Sequence, residues 1–167
     1  MASRAMLNTI LFLRIFTLLA LVASIVVMVI NKAKDDDGSK AMFYDFIGYR
    51  YIVAVGGIGV IYTLVQIPFA IYNVAKEKRL IRNGFLQEFD FYGDKVTAFL
   101  LATGVGVGFG ISCEFKRAFP LSDEGKKFLN MANISTGILL AGFVSMVLLS
   151  IFSSLRWSSN SNKGFFK

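Results

Sequence analysis

The chain alternates four long apolar runs with short polar segments. The first, Ile10 to Ile30, is interrupted only by Arg14, Thr17 and Ser24. The second, Tyr51 to Val74, carries no charge. The third runs from Val96 to Cys113, and the fourth from about Met131 to Leu155. Each is close to the roughly 20 residues a helix needs to cross a bilayer, so the pattern predicts an all-α, integral membrane four-helix transmembrane bundle with short loops. The first run exceeds the roughly 7 to 15 residues of a signal-peptide core and is broken by Arg14, so it reads as a retained span. The loops and tails are too short for a separate catalytic domain, and residues 1–167 read as a single four-span domain.

Within this frame particular residues predict local structure. Asn31 to Arg50 starts as a solvated loop, with Asp35, Asp36 and Asp37 followed by Gly38 and Ser39. It then turns aromatic in Phe43, Tyr44, Phe46, Tyr49 and Tyr51, the pattern of an interfacial belt. Pro68 removes a donor inside the second span and predicts a kink that frees the Leu64 carbonyl. Gln66 is expected to face a neighbouring helix instead of lipid. In the third span Gly104, Gly106, Gly108 and Gly110 alternate. On a helix Gly104 and Gly108 share one face and Gly106 and Gly110 another, so two backbones can approach closely. Gly137 with Ala141, and Ala141 with Ser145, are small-residue pairs suited to packing in the fourth span. The Ser-, Asn- and Lys-rich tail from Arg156 and Trp157 is expected to be mobile. Asn133-Ile134-Ser135 matches a glycosylation sequon but lies at a membrane edge, where it is not expected to be used.

Composition narrows the chemistry. The chain is 55% hydrophobic and 17% charged, with no histidine and one cysteine, Cys113. That excludes histidine-based triads and proton relays, imidazole metal sites, an intrachain disulfide and CxxC motifs. No catalytic residue, metal site or cofactor is implied. The net charge of +7 comes from basic residues that mostly flank the spans, which suits anionic lipid headgroups better than nucleic acid. The N-terminus, second loop and C-terminus hold Arg4, Lys76, Lys78, Arg79, Arg82, Arg156, Lys163 and Lys167. The other loops hold as many. Arg14 and Lys95 can snorkel toward the first side and tip the balance, placing both termini in the cytosol.

Arg14 lies about four residues, or ~6 Å, inside its span, and Asp94 stands at the mouth of the third. A charge within the bilayer costs about 2.5–3.5 kcal/mol at the centre and less near an interface, so Arg14 needs a carboxylate or a route to the headgroups. Asp94 is the best-placed partner. With no further ionisable group at mid-membrane, the pair reads as a clamp between helices instead of a relay.

These residues together resemble the Casparian strip membrane domain protein-like family of plants. The resemblance lies in the arginine of the first span, the aspartate at the start of the third, FIGYRYIVAVGGIGVIY from Phe46 to Tyr62, and FYGDKVTAFLLATG from Phe91 to Gly104. It covers roughly Arg14 to Leu155. It implies a multi-pass plasma-membrane protein with cytosolic termini that associates with itself and with related four-span proteins; strip-forming members recruit cell-wall enzymes. The first outer loop here is short and Asp-rich and lacks the stretch that marks those members. The paired extracellular cysteines of some members are also missing. This points to a relative of less defined role.

The expected function is a non-enzymatic scaffold that oligomerises laterally and sets up a membrane subdomain, with cell-wall modifying enzymes as possible partners. The Arg14 and Asp94 pair would fix helix register, and Gly104, Gly106, Gly108, Gly110, Gly137 and Ala141 would pack helices. The alternative is a transporter, a channel or an accessory subunit of one. It draws on the Gln66-Pro68 break and the Ser and Thr residues of the fourth span, and is weakened by the lack of a polar file through the bilayer.

Overall fold

Helices that are apolar on nearly every face belong inside a membrane, and four of them dominate the structure. The computed structural model describes residues 4–34, 40–76, 85–118 and 122–164. Helix α1 spans Arg4–Ile30, α2 Ile47–Lys76, α3 Phe85–Ala118 and α4 Asp123–Gly164. All four are long and apolar enough to cross a bilayer. Between α1 and α2, strands β1 (Lys32–Lys34) and β2 (Lys40–Met42) form a short antiparallel ladder, followed by a 3-10 turn at Phe43–Asp45. Within the polar segments expected to be solvated or mobile, Asp35 to Ser39, Lys78, Arg79, Arg82 and Lys167 lie outside the described residues.

Besides Ala20, the buried positions of α1 are Ile10, Arg14, Thr17, Leu21, Ser24 and Met28, with Asn31 following directly after the helix. Their spacing of four, three, four, three is the seam of a helix that meets its neighbours knobs-into-holes. Helix α1 packs on α2 and α4, and α3 packs on the same two, so α1 and α3 stand diagonally across the bundle. Leu21, Leu101, Leu139 and Met146, each fully buried, fill the middle.

Glycines set how close the helices come. A Cβ at Gly59 of α2 would stand 2.8 Å from the Leu21 side chain of α1, and one at Gly142 of α4 would stand 3.1 Å from the same residue. On α3, a Cβ at Gly104 would lie 3.3 Å from Leu139 and 3.4 Å from Val55. One at Gly108 would press into Thr136 of α4 and come within 3.0 Å of Ile52 of α2. Gly106 and Gly110 have nothing within 4 Å of the same position. The alternating glycines are thus sorted, one pair seated against α2 and α4 and the other turned outward.

Four local expectations are corrected. Helix α3 begins at Phe85, so Asp94 lies well inside it and is fully buried instead of standing at a mouth. Asn31 is not solvated: its side-chain amide donates to the Phe128 carbonyl of α4 at 2.9 Å. Tyr49 is no belt residue. It is fully buried with its ring 5.7 Å from Phe128, while Tyr44 and Tyr51 remain exposed. The tail expected to be mobile continues α4 as helix to Gly164. Pro68 lies within the length of helix α2.

The sorting of the glycines yields a stability prediction. Thr136 is β-branched and donates to the Ala132 carbonyl at 2.9 Å, so it has little freedom to yield. Gly108→Ala is expected to destabilise the purified protein by about 1–3 kcal/mol. Gly106→Ala, facing open space, should be neutral or gain up to about 1 kcal/mol through helix propensity. Thermal melting in detergent micelles distinguishes the two, and equal losses would contradict the inward and outward assignment.

Candidate functional site

A guanidinium inside hydrocarbon must be neutralised by something that can reach it. Arg14 of α1 crosses the bundle axis to Asp94 of α3. Its Nη2 donates to Asp94 Oδ2 at 3.4 Å, and its Nη1 lies 3.3 Å from Oδ1. Both residues are buried, Arg14 at 3% exposure and Asp94 at 0%. The two contacts together give the forked approach in which one arginine faces both oxygens of a carboxylate.

The other two helices complete the coordination. Tyr62 Oη of α2 donates to Asp94 Oδ1 at 2.8 Å, and Ser153 Oγ of α4 donates to Oδ2 at 2.5 Å. One turn along α2, Gln66 Nε2 donates to the Tyr62 hydroxyl at 3.0 Å. All four helices therefore meet at one carboxylate, and each of its oxygens has a hydroxyl donor as well as an arginine nitrogen. Gly93 makes this possible. A Cβ there would lie 2.7 Å from both Oη and Cε2 of Tyr62, so the missing side chain is the opening through which the phenol reaches the residue next door.

Other polar groups of the interior pair across helices or with their own backbone. Ser24 of α1 and Ser135 of α4 are reciprocal: each hydroxyl donates to the other's carbonyl at 2.8 Å. Thr17, Thr63 and Ser145 donate to carbonyls four residues back. Toward the lipid, the hydroxyls of Tyr51 and Thr103 tie α2 to α3 at 2.8 Å. Between the ion cluster and the serine pair lies the apolar layer of Leu21, Leu101, Leu139 and Met146. Among the described residues, no group of three or more His, Cys, Asp or Glu side chains could hold a metal ion. The arrangement binds helices together and leaves its charges neutralised against one another.

Each residue singled out from the sequence has a definite place. Arg14 and Asp94 are brought together. Gly104 and Gly108 sit inside the bundle. Gly106 and Gly110 face outward, and Gly137 has nothing within 4 Å of a Cβ position. Ala141 is half-buried and its carbonyl accepts from Ser145 at 3.1 Å. Sequence reasoning did not find Tyr62, Ser153 and Gly93. Tyr62 lies four residues before Gln66 on the same helix face, and Gly93 directly precedes Asp94; both spacings were readable, but nothing marked Ser153 among the serines of α4.

Geometry of this kind defines a class, the multi-span α-helical membrane protein whose helices are joined at a buried ion pair. Comparison with known sequences gives the family: the profile of the Casparian strip membrane protein domain matches residues 3–147. CASP-like protein 4D1 of Ricinus communis is 40% identical over 147 residues, covering 86% of this chain and 88% of that relative. The protein of the same name from Populus trichocarpa is 38% identical over 155 residues, covering 87% and 84%. That from Arabidopsis thaliana is 39% identical over 125 residues, covering 71% and 68%. The chain belongs to the Casparian strip membrane protein family. None of these names is that of an enzyme. No solved structure matches it.

The cluster predicts an asymmetry between substitutions. Asp94→Asn leaves the Arg14 charge buried without its counter-ion and should cost about 3–5 kcal/mol of bundle stability. Ser153→Ala removes one donor to the carboxylate and should cost about 1–3 kcal/mol. The double exchange Arg14→Asp with Asp94→Arg should recover part of the first loss. Thermal unfolding in micelles reads all three, and an Asp94→Asn variant as stable as the parent would remove the cluster from any role in holding the helices.

Proposed function

We propose that the protein is a non-enzymatic scaffold of the plasma membrane. Both termini face the cytosol, and the protein associates laterally with its own copies and with related four-span proteins to form a membrane subdomain. Cell-wall modifying enzymes are the partners such a subdomain would organise. The observation that carries this reading is the division of the α3 glycines. Gly104 and Gly108 are used within the bundle, whereas Gly106 and Gly110 leave a strip of bare backbone on its outer surface. In a bilayer, where burial of apolar surface does not drive association, close backbone approach supplies the van der Waals contact that lipid chains cannot match. Arg14 and Asp94 serve the scaffold by fixing the register of helices that carry the strip. Gly137, open on α4, offers a further place of approach.

The chemistry of the interior supports a non-transporting role. The ion cluster is neutral, its α3 carboxylate closed by donors from the other three helices, and a fully buried apolar layer separates it from the Ser24 and Ser135 pair. A conducted solute needs a continuous polar lining.

Photobleaching of the tagged protein in a plant plasma membrane tests the proposal, with an unrelated four-span protein of similar size as the control. Recovery is expected to be slow and confined to patches. Gly106→Leu with Gly110→Leu should restore control-like mobility without loss of thermal stability. Gly104→Leu and Gly108→Leu report on the fold instead, since both positions are filled from within. Recovery of the unsubstituted protein as fast as the control would overturn the scaffold and bring transport, or an accessory role in it, to the front.

A further inference from the structure

At the end of the bundle away from the ion cluster, the packing has three regular layers. In the first, Gly108 of α3 meets Ile52 of α2 and Thr136 of α4. Since both neighbours run antiparallel to α3, one turn further along α3 corresponds to one turn earlier on α2 and α4. This second layer contains Ser112, Tyr49 and Asn133. Another turn on, the third layer is aromatic: the Phe46 ring lies 5.1 Å from Phe115 and 5.8 Å from Phe128, and Phe128 lies 5.7 Å from Tyr49.

The middle layer is the unusual one. Tyr49 is 0% exposed and Ser112 2%. The Tyr49 hydroxyl, the Ser112 hydroxyl and Asn133 Oδ1 are all buried with no hydrogen-bond partner among the described residues. Tyr49 and Ser112 are near enough to interact, yet do not meet in hydrogen-bond geometry. Asn133 is half-buried and lies three residues before Thr136, which by the helical period sets it about 60° around α4 from the residue that meets Gly108. Three helices thus each bring one unpaired polar atom to a single level, under an aromatic roof and above a glycine floor. A buried polar atom left unpaired costs about as much as a hydrogen bond to a neutral group is worth or more. Three at one level are the two to four polar partners that an internal water takes.

We propose that this layer is a binding site for an internal water molecule, bridging Tyr49 Oη, Ser112 Oγ and Asn133 Oδ1 beneath Phe46, Phe115 and Phe128. Water can donate to the amide oxygen and exchange donor and acceptor roles with the two hydroxyls, so one molecule satisfies all three. The site ties α2, α3 and α4 together at the end the ion cluster does not reach. It does not depend on the scaffold reading.

The full-length protein in lipid nanodiscs tests the site through the sign and coupling of substitutions. With the water bound, Ser112→Ala, Tyr49→Phe and Asn133→Ala each remove one of its partners and should lower the melting temperature by roughly 2–6 °C. Any two together should cost less than the sum, because a water that has lost one partner holds the others weakly. A rise in melting temperature for the single variants would mark a dry pocket and overturn the site. So would Asn133→Ala adding in full to Tyr49→Phe, which leaves only a direct contact between Tyr49 and Ser112. A measurement on the unsubstituted protein is independent of folding. Solid-state NMR should show magnetisation passing from long-lived bound water to Ser112 and Tyr49, and no transfer at either residue would refute the proposal.

Discussion

A carboxylate and a guanidinium in the interior of a membrane protein admit few arrangements, and the contacts of Asp94 follow from that constraint. Each oxygen needs donors, the arginine needs both oxygens, and lipid can supply neither. Because Arg14 and Asp94 belong to diagonal helices, their contact passes through the axis, and α2 and α4 must flank it. Tyr62 and Ser153 are the donors that those two helices contribute. Sliding one helix by a turn would strand a charge, so the cluster specifies register more strongly than apolar packing could. Its net contribution to stability is a separate matter, since desolvating two ions offsets much of their attraction.

Close helix approach is the second requirement, and glycine meets it where side chains would interfere. The Leu21 side chain sits between Gly59 and Gly142, and the Tyr62 ring passes beside Gly93. Without these gaps the phenol could not reach Asp94 and the middle of the bundle would be wider. The outward pair on α3 has no such internal use, which is why an external helix is its natural occupant in the proposed scaffold.

The two ends of the bundle are held by different means. One has the charged cluster, the other the Ser24 and Ser135 pair, the Asn31 contact and the hydroxyl layer at Tyr49 and Ser112. Between them lie the fully buried Leu21, Leu101, Leu139 and Met146, with the hydroxyls of Thr17, Thr63 and Ser145 turned onto carbonyls of their own helices. A protein held at both ends and closed in the middle is suited to presenting fixed surfaces to its surroundings.

The number of spans and the all-α class followed from the apolar runs alone, because backbone groups in hydrocarbon have no alternative to helical hydrogen bonding. The need for Arg14 to find a carboxylate was equally legible, as was the partition of Gly104 and Gly108 from Gly106 and Gly110, since both rest on charge energetics and helical period. Which glycine face looked inward was not legible, because period gives relative directions and says nothing about which one a neighbour occupies. Tyr49 was misread for a related reason. An aromatic near a membrane boundary suits either the interface or the core, and only its contact with Phe128 decides. Ser153 and Tyr62 became partners of Asp94 through the meeting of helices distant in sequence. Donor geometry about a carboxylate is a property of that meeting and of no single segment.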